Sequence, residues 1–282
     1  MKLLRFGSKG NESPGLLDDD GVIRDLSAHV GDIDGAALDP RVLDSLRALD
    51  TATVPAIDAS TRLGPPVAEV GKVIAVGLNY RDHAEEAGHP IPAEPILFMK
   101  ATSSISGPND DVIIPRNSVK TDYEVELGIV IGRQARYVEE VAALDYVAGY
   151  CVVNDVSERA FQSEGTGQWT KGKSADTFCP FGPWLVTADE VPDPQSLRVW
   201  LDLDGEHRQD GSTSTMIFGV AHLVAYISQF MTLHPGDLIP TGTPPGVGLG
   251  MKPPAYLRPG NQVNLGIDGL GAMTHQFVAC AD

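Results

Sequence analysis

Asp122-Tyr-Glu-Val-Glu-Leu-Gly-Ile-Val-Ile-Gly132 alternates apolar residues with other residues, which predicts a β-strand with one hydrophobic face. The opposite face carries Glu124, Glu126 and Gly128. Two carboxylates on a rigid strand, beside a glycine that leaves space, are typical of a site for a hard cation, because such cations prefer oxygen ligands. The alternative is a solvated strand face on which the two carboxylates have no special role.

A third carboxylate follows a second predicted strand. The apolar run at 148–153 ends in Asn154-Asp155, and polar residues at the end of a buried strand often lie at a pocket mouth. If the two strands are neighbours, Asp155 joins the two glutamates in a site suited to Mg²⁺ or Mn²⁺. Alternatively, Asp155 caps the short helix that Glu158-Arg-Ala-Phe-Gln162 predicts. The two roles are compatible.

A histidine and a glutamate follow another predicted strand, which ends at Val76. His83 and Glu86 are three residues apart, so on a helix they lie on one face and can form a hydrogen bond. A carboxylate that orients a histidine creates a general base near neutral pH. The alternative is a surface histidine beside an unrelated helical glutamate.

Polar residues at 159–173 are candidates for substrate contacts. We expect Lys173 to pair with a carboxylate of the substrate or of the metal site, and Lys171 to be solvated. Arg159 and Gln162 are again three residues apart and are predicted to face the same pocket, where they would bind an anionic or polar group. A solvated helix face is the alternative for this pair.

The composition limits the class of protein. With 282 residues and 42% hydrophobic content, the chain is expected to be globular. A net charge of −17 argues against nucleic acid or an anionic membrane as a partner. Three cysteines without a CxxC pair suit a reducing compartment and buried free thiols, with Cys151 acting as a small hydrophobic residue. No signal peptide or membrane span is visible, so we expect a cytoplasmic protein.

The chain divides by pattern into a predicted small N-terminal domain at 1–66 and a larger domain at 67–282. The larger part predicts a mainly β, mixed-sheet α+β fold with short helices. The glycine-rich stretch 242–248 lacks the Lys-Ser/Thr ending of a phosphate loop, so we expect no nucleotide site. Strands are predicted at 2–6, 21–23, 73–76, 96–99, 112–114, 123–131, 149–153, 184–187, 197–203 and 263–267, and helices at 40–48 and 221–231.

Together these motifs resemble the fumarylacetoacetate hydrolase superfamily, over a range from about residue 70 to the C-terminus. The opening Met1-Lys-Leu-Leu-Arg-Phe-Gly7 is also similar to a bacterial branch that includes 2,4-diketo-3-deoxy-sugar-acid hydrolases. One residue departs from the pattern, since many acylpyruvate hydrolases have arginine where this chain has Leu78. The residues that carry the resemblance are Gly77-Leu-Asn-Tyr-Arg-Asp-His83 with Glu86, Phe98-Met-Lys100, the 122–128 stretch, Asn154-Asp-Val-Ser-Glu-Arg159, Lys173 and Pro235-Gly-Asp-Leu-Ile-Pro-Thr-Gly-Thr-Pro-Pro-Gly-Val-Gly248.

The resemblance implies a mixed β-sandwich roll, usually a homodimer and in the alternative a tetramer. It implies that His83 and Glu86 activate water and that Lys173 lies near the bound substrate. The implied ligands of Mg²⁺ or Mn²⁺ are Glu124, Glu126 and Asp155. The expected substrate contacts are Arg81, Arg159, Gln162 and Thr243.

The expected activity is metal-dependent hydrolysis of the C3–C4 bond of a 2,4-dioxo acid, either a 2,4-diketo-3-deoxy sugar acid or an acylpyruvate. The products would be pyruvate and a second carboxylic acid. Decarboxylation of oxaloacetate or a related β-keto acid is the main alternative, because it uses the same enolate without attack by water. Lyase or hydratase action on a 2-oxo acid and a non-catalytic binding protein are further alternatives.

Overall fold

A computed structural model describes residues 1–86, 88 and 90–281 of the chain. Strands dominate, as predicted, and the helices are short. The strands are β1 Lys2–Ser8, β2 Asn11–Leu17, β3 Ile23–Asp25, β4 Ala56–Ile57, β5 Leu63–Gly64, β6 Val73–Gly77, β7 Ile96–Lys100, β8 Ile105–Ser106, β9 Val112–Ile114, β10 Thr121–Asp122, β11 Val125–Ile131, β12 Val147–Asn154, β13 Ser157–Glu158, β14 Cys179–Thr187, β15 Arg198–Leu203, β16 Glu206–Ser212, β17 Leu238–Pro240, β18 Gln262–Ile267 and β19 Gly271–Ala279. The α-helices are α1 Pro40–Arg47, α2 Arg81–Glu86, α3 Arg159–Ser163, α4 Thr170–Lys173 and α5 Val220–Ser228.

The strands form two main sheets. The larger has the order β4-β3-β2-β1-β14-β12-β11-β17-β6-β7, with β5 paired to β1 and β8 paired to β14. The smaller has the order β16-β15-β18-β19-β9, while β10 and β13 form a separate pair. Most pairings are antiparallel, but β17 with β6, β8 with β14 and β9 with β19 are parallel. The predicted mixed-sheet, mainly β fold is therefore confirmed.

Strand β11 lies at the centre of the core and is buried on both faces. Leu127 and Ile129 pack in a hydrophobic cluster with side chains of the smaller sheet, such as Leu201 and Leu265. Val130 points the other way, into a cluster that includes Leu3 near the N-terminus. The alternative of a solvated second face is therefore wrong, because N-terminal elements cover that face.

The N-terminal strands extend the larger sheet. Strand β1 pairs antiparallel with β14, with Lys2 opposite Val186 and Leu3 opposite Leu185. The larger sheet therefore contains strands from both sides of residue 66. A division into domains at 1–66 and 67–282 stays a prediction.

Several elements differ from the sequence-based expectations. Strands β2, β16, β17 and β19 were not predicted, and β14 begins five residues before the predicted 184–187 strand. Strand β16 is largely exposed and polar, so it has no hydrophobic alternation to detect. Cys151 is buried as expected, whereas Cys280 is exposed, which corrects the expectation of buried thiols throughout. Within the described ranges, no helix has the length and apolar character needed to cross a membrane.

Candidate metal centre and active site

The pairing of β11 with β12 brings three carboxylates together. Val125 lies opposite Asn154, so the start of β11 is beside the end of β12. Glu124 directly precedes β11, Glu126 is its second residue, and Asp155 directly follows β12. Their side chains are buried, and one carboxylate oxygen from each lies within 4.8 Å of the others.

The backbone holds this arrangement, and a different residue caps the following helix. The Asp155 N–H donates to the Glu124 carbonyl oxygen at 2.9 Å, so a hydrogen bond holds the main chains of these two residues together. Helix α3 is capped by Glu158, whose side chain accepts from the Ala160 N–H. The alternative role of Asp155 as the cap of this helix is therefore wrong.

Three buried cationic side chains pair with the carboxylates. Lys173 Nζ lies 2.5 Å from Glu124 Oε2 and 2.7 Å from Asp155 Oδ2. Lys100 Nζ donates to the other oxygen of Asp155. Arg159 Nη2 lies 2.7 Å from Glu124 Oε1. Lys100 had no role assigned from sequence, although a buried lysine in an otherwise apolar strand such as β7 is a signal that it has a charged partner.

Glu126 is held differently from the other two carboxylates. One oxygen accepts a hydrogen bond from the Gly242 N–H at 2.8 Å, and no ion pair to Glu126 occurs among the residues that the structure describes. Burial raises the pKa of Glu126, and the charges of Asp155 and Glu124 raise it further. Burial also raises the pKa of Glu124, but Arg159 and Lys173 more than offset this, so the pKa of Glu124 lies below its usual range.

The donor set fits a divalent cation. When all four buried carboxyl groups, those of Asp122 and of the three residues above, are ionised, they face only three cationic side chains, and one negative charge is uncompensated. An unpaired buried charge is costly, and a bound cation would relieve that cost. Carboxylate oxygens are the ligands that Mg²⁺ and Mn²⁺ prefer.

His83 and Glu86 form a pair on helix α2, which starts four residues after β6 ends. His83 Nδ1 lies 3.1 Å from Glu86 Oε2, and Glu86 Oε1 accepts from the Gly246 N–H at 3.0 Å. Burial raises the pKa of Glu86, but these hydrogen bonds outweigh burial, so the net pKa lies below the usual value. An ionised Glu86 favours the tautomer with the proton on Nδ1, which leaves Nε2 free to accept a proton.

A cavity of about 590 Å³ joins the pair to the carboxylates. Of the predicted substrate contacts, Arg159, Gln162 and Thr243 line it, whereas Arg81 is exposed and does not line it. Leu78 also lines the cavity, and Lys171 is exposed. The remaining wall is mostly apolar, with the cationic Lys252 as an exception. Its apolar side chains include Phe98, Trp169, Val247, Leu249, Met251 and Pro254.

Two buried residues that sequence reasoning did not assign support the carboxylates. Asp122 accepts from the backbone N–H groups of Gly248 and Leu249 at 2.7 and 3.0 Å. Asn154 Oδ1 accepts from the Glu124 N–H at 3.1 Å, and Asn154 Nδ2 lies 3.1 Å from Nδ1 of His275. His275 lies in β19, and its position follows from the packing of two sheets, for which the sequence carries no local signal.

The model of the fumarylacetoacetate (FAA) hydrolase C-terminal family matches residues 72–278. The chain belongs to the fumarylacetoacetate hydrolase family. A Burkholderia multivorans relative with the name "Putative hydrolase" is 63% identical over 272 residues, which cover 96% of each chain.

Two solved structures show the range of activities found with this fold. The maleylpyruvate hydrolase of Sphingobium sp. SYK-6, solved with manganese(II) and pyruvate, is 30% identical with a TM-score of 0.83. The 2-hydroxyhepta-2,4-diene-1,7-dioate isomerase of Mycobacterium marinum is 34% identical with a TM-score of 0.76. Each match covers all of both chains.

Proposed function

We propose that this protein is a hydrolase, dependent on Mg²⁺ or Mn²⁺, that cleaves the C3–C4 bond of a 2,4-dioxo acid. The products would be pyruvate and a second carboxylic acid. The observation that carries the proposal is a single cavity lined by both the three-carboxylate group and the His83–Glu86 pair. The Sphingobium maleylpyruvate hydrolase, solved with manganese(II) and pyruvate, supports the choice of metal and product class.

The three carboxylates Glu124, Glu126 and Asp155 would hold the cation. When bound, the cation would act as a Lewis acid toward the negative charge of an oxo acid. Lys173, buried against Glu124 and Asp155, would add a second positive charge next to the substrate. Arg159 is already engaged by Glu124 and Asp122, so we assign it mainly to holding Glu124 in place.

His83 would supply the proton chemistry. Its Nε2 would take a proton from water as the water oxygen attacks the C4 carbonyl carbon, and Glu86 would stabilise the imidazolium that forms. The C3–C4 bond would then break, with its electron pair passing to C3 as the pyruvate enolate, whose charge the Lys173 ammonium would stabilise. The proton that His83 took from water would then pass to C3 to give pyruvate, and the attacked carbon would leave as the carboxylic acid.

The cavity wall combines apolar side chains with the cationic Lys252, so it suits a substrate whose C4 group is either apolar or anionic. Phe98 and Trp169 form an edge-to-face pair with ring centroids 5.4 Å apart, and both line the cavity. The amide NH₂ of Gln162 would donate a hydrogen bond to the polar end of the substrate. The Thr243 hydroxyl already donates to the Val125 carbonyl oxygen at 2.8 Å, so it would only line the site. A contact from Arg81 stays a prediction, and so does the homodimer.

Isomerisation of an unsaturated 2-oxo acid is a second candidate, favoured by the similarity to the Mycobacterium marinum isomerase. That reaction moves a proton and needs no attack by water. Decarboxylation of oxaloacetate would likewise bypass the water step.

Parallel assays of the purified protein would separate these reactions. Acylpyruvates, 2,4-diketo-3-deoxy sugar acids, oxaloacetate and an unsaturated 2-oxo dicarboxylate would each be tested with Mg²⁺, Mn²⁺ or chelator. The proposal predicts pyruvate and a second acid in equal amounts, only from a diketo acid and only with metal. Carbon dioxide from oxaloacetate alone, or an absorbance change without pyruvate, would reject it.

A further inference from the structure

We propose that Gly250 is a positioning residue whose missing side chain leaves the space in which the Glu86 carboxylate lies against His83. The proposal rests on the proposed role of the His83–Glu86 pair in water activation. It concerns the segment 246–250, which contains the second half of the glycine-rich stretch.

Gly250 is required for space and not for its backbone conformation. A Cβ atom built on Gly250 would lie 2.7 Å from Cδ of Glu86, and 2.9 and 3.0 Å from its two carboxylate oxygens. Those three atoms are the nearest to that position, and a carbon at such distances is not tolerated. The φ angle of Gly250 does not lie in the left-handed region, so an alanine can adopt the same backbone.

The same segment holds Glu86 by a hydrogen bond, and other residues hold the segment in place by further hydrogen bonds. The Gly246 N–H donates to Glu86 Oε1 at 3.0 Å, and the hydroxyl of Tyr123 donates to the Gly246 carbonyl oxygen at 3.1 Å. Asp122 accepts from two further N–H groups of the segment and pairs with Arg159. Since Arg159 also contacts Glu124, the segment sets where Glu86 lies relative to the carboxylates.

An alanine at 250 should therefore disturb the pair without disturbing the fold. The clash involves only the end of the Glu86 side chain, which is 24% exposed and can rotate into solvent. His83 would then lose the carboxylate that fixes its tautomer. General-base catalysis contributes about 10²–10⁴-fold to a rate, so we expect kcat to fall by about 10- to 100-fold.

Gly250→Ala and a matched control test the proposal in the full-length protein. Gly31→Ala is the control, because a Cβ at Gly31 meets no atom within 4 Å and its φ is not left-handed. The measurements are kcat and KM on the best dioxo acid, Mn²⁺ affinity by calorimetry, Tm, and the imidazole ¹⁵N spectrum of His83. For Gly250→Ala we expect a lower kcat and a shifted His83 signal, with Mn²⁺ affinity and Tm close to wild type. Gly31→Ala should match wild type in all four.

A compensating variant separates a steric effect from a general loss. Glu86→Asp is shorter by one methylene, so its carboxylate retreats from the position that an alanine at 250 would occupy. Adding G250A to E86D should therefore cost less than about twofold in kcat, although G250A alone costs about tenfold or more. Independent, multiplying losses would overturn the proposal.

The readouts distinguish a failure of this proposal from a failure of the proposed function. If wild type hydrolyses no dioxo acid, the proposed function is wrong, and the His83 ¹⁵N spectrum still tests the contact between Gly250 and Glu86. If wild type is active but Gly250→Ala leaves both kcat and that spectrum unchanged, the positioning role of Gly250 is wrong.

Discussion

Replacing His275 by glutamine should make the protein less sensitive to mild acid. His275 is fully buried, and Asn154 uses its oxygen for the Glu124 N–H, so its amide NH₂ is left to donate to Nδ1 of His275. A protonated ring would lose this acceptor. Burial lowers the pKa of His275 to about 4, and a backbone hydrogen bond at Pro108 and the charge of Asp110 offset this only in part.

The sign and size of the effect follow from proton linkage. The unfolded chain binds a proton at His275 near pH 6.5, whereas the folded protein does so only near pH 4. Between these values the unfolded state binds more protons, so the free energy of unfolding falls as the pH falls from 6.5 to 4. The loss is about 2 kcal/mol between pH 7 and pH 5, and about 3 kcal/mol once the pH is below 4.

Urea unfolding at pH 7 and pH 5 would measure this loss. Glutamine keeps an oxygen that can accept from Asn154 and does not titrate, so His275→Gln should lose about 2 kcal/mol less than wild type over this range. His29→Gln, at an exposed histidine, is the control and should lose as much as wild type. An equal loss in wild type and His275→Gln would refute the reasoning.

Three further variants test the site. Glu86→Gln should lower kcat by about 10²–10⁴-fold, because the carboxylate acts through His83. The Mn²⁺ affinity measured by calorimetry should not change. Comparable losses in kcat and in Mn²⁺ affinity would contradict this role of Glu86. Glu126→Gln replaces a buried carboxyl group, whose ionised form is disfavoured by burial and by the charges of Asp155 and Glu124, with a neutral amide, so it should raise the Tm of the metal-free protein. In wild type, Mn²⁺ at 100 times its Kd should raise the free energy of unfolding by about 2.7 kcal/mol. Glu126→Gln should abolish this increase, and an increase as large as in wild type would exclude Glu126 as a metal ligand. Lys173→Met leaves two buried carboxylates without this partner and should cost about 3–5 kcal/mol in urea unfolding, whereas a loss below about 1 kcal/mol would show that Lys173 is dispensable for the fold.

Local patterns in the sequence were enough to find the central elements. The alternation at 123–129 predicts a strand, and it places Glu124 and Glu126 on the same side. The spacing of His83 and Glu86 predicts a contact within one helical turn, and the two side chains lie at hydrogen-bonding distance. These features depend on residues close in sequence.

Features that depend on distant residues could not be read in the same way. Nothing local indicates that N-terminal elements cover the second face of β11, because that cover comes from residues far away in the sequence. Lys100 and His275 reach the site only through the pairing and packing of strands. The space that Gly250 leaves for Glu86 likewise exists only once helix α2 meets the segment 246–250.

Hydrolysis in ¹⁸O-labelled water tests the central claim most directly. The purified protein would be given its best diketo acid with Mn²⁺, and the second carboxylic acid would be analysed by mass spectrometry. Attack of water on C4 predicts one ¹⁸O atom in the carboxyl group of that acid, formed in equal amount with pyruvate and not formed with chelator or in His83→Ala. Turnover without a labelled second acid, or undiminished by chelator, would contradict metal-dependent hydrolysis at the C3–C4 bond.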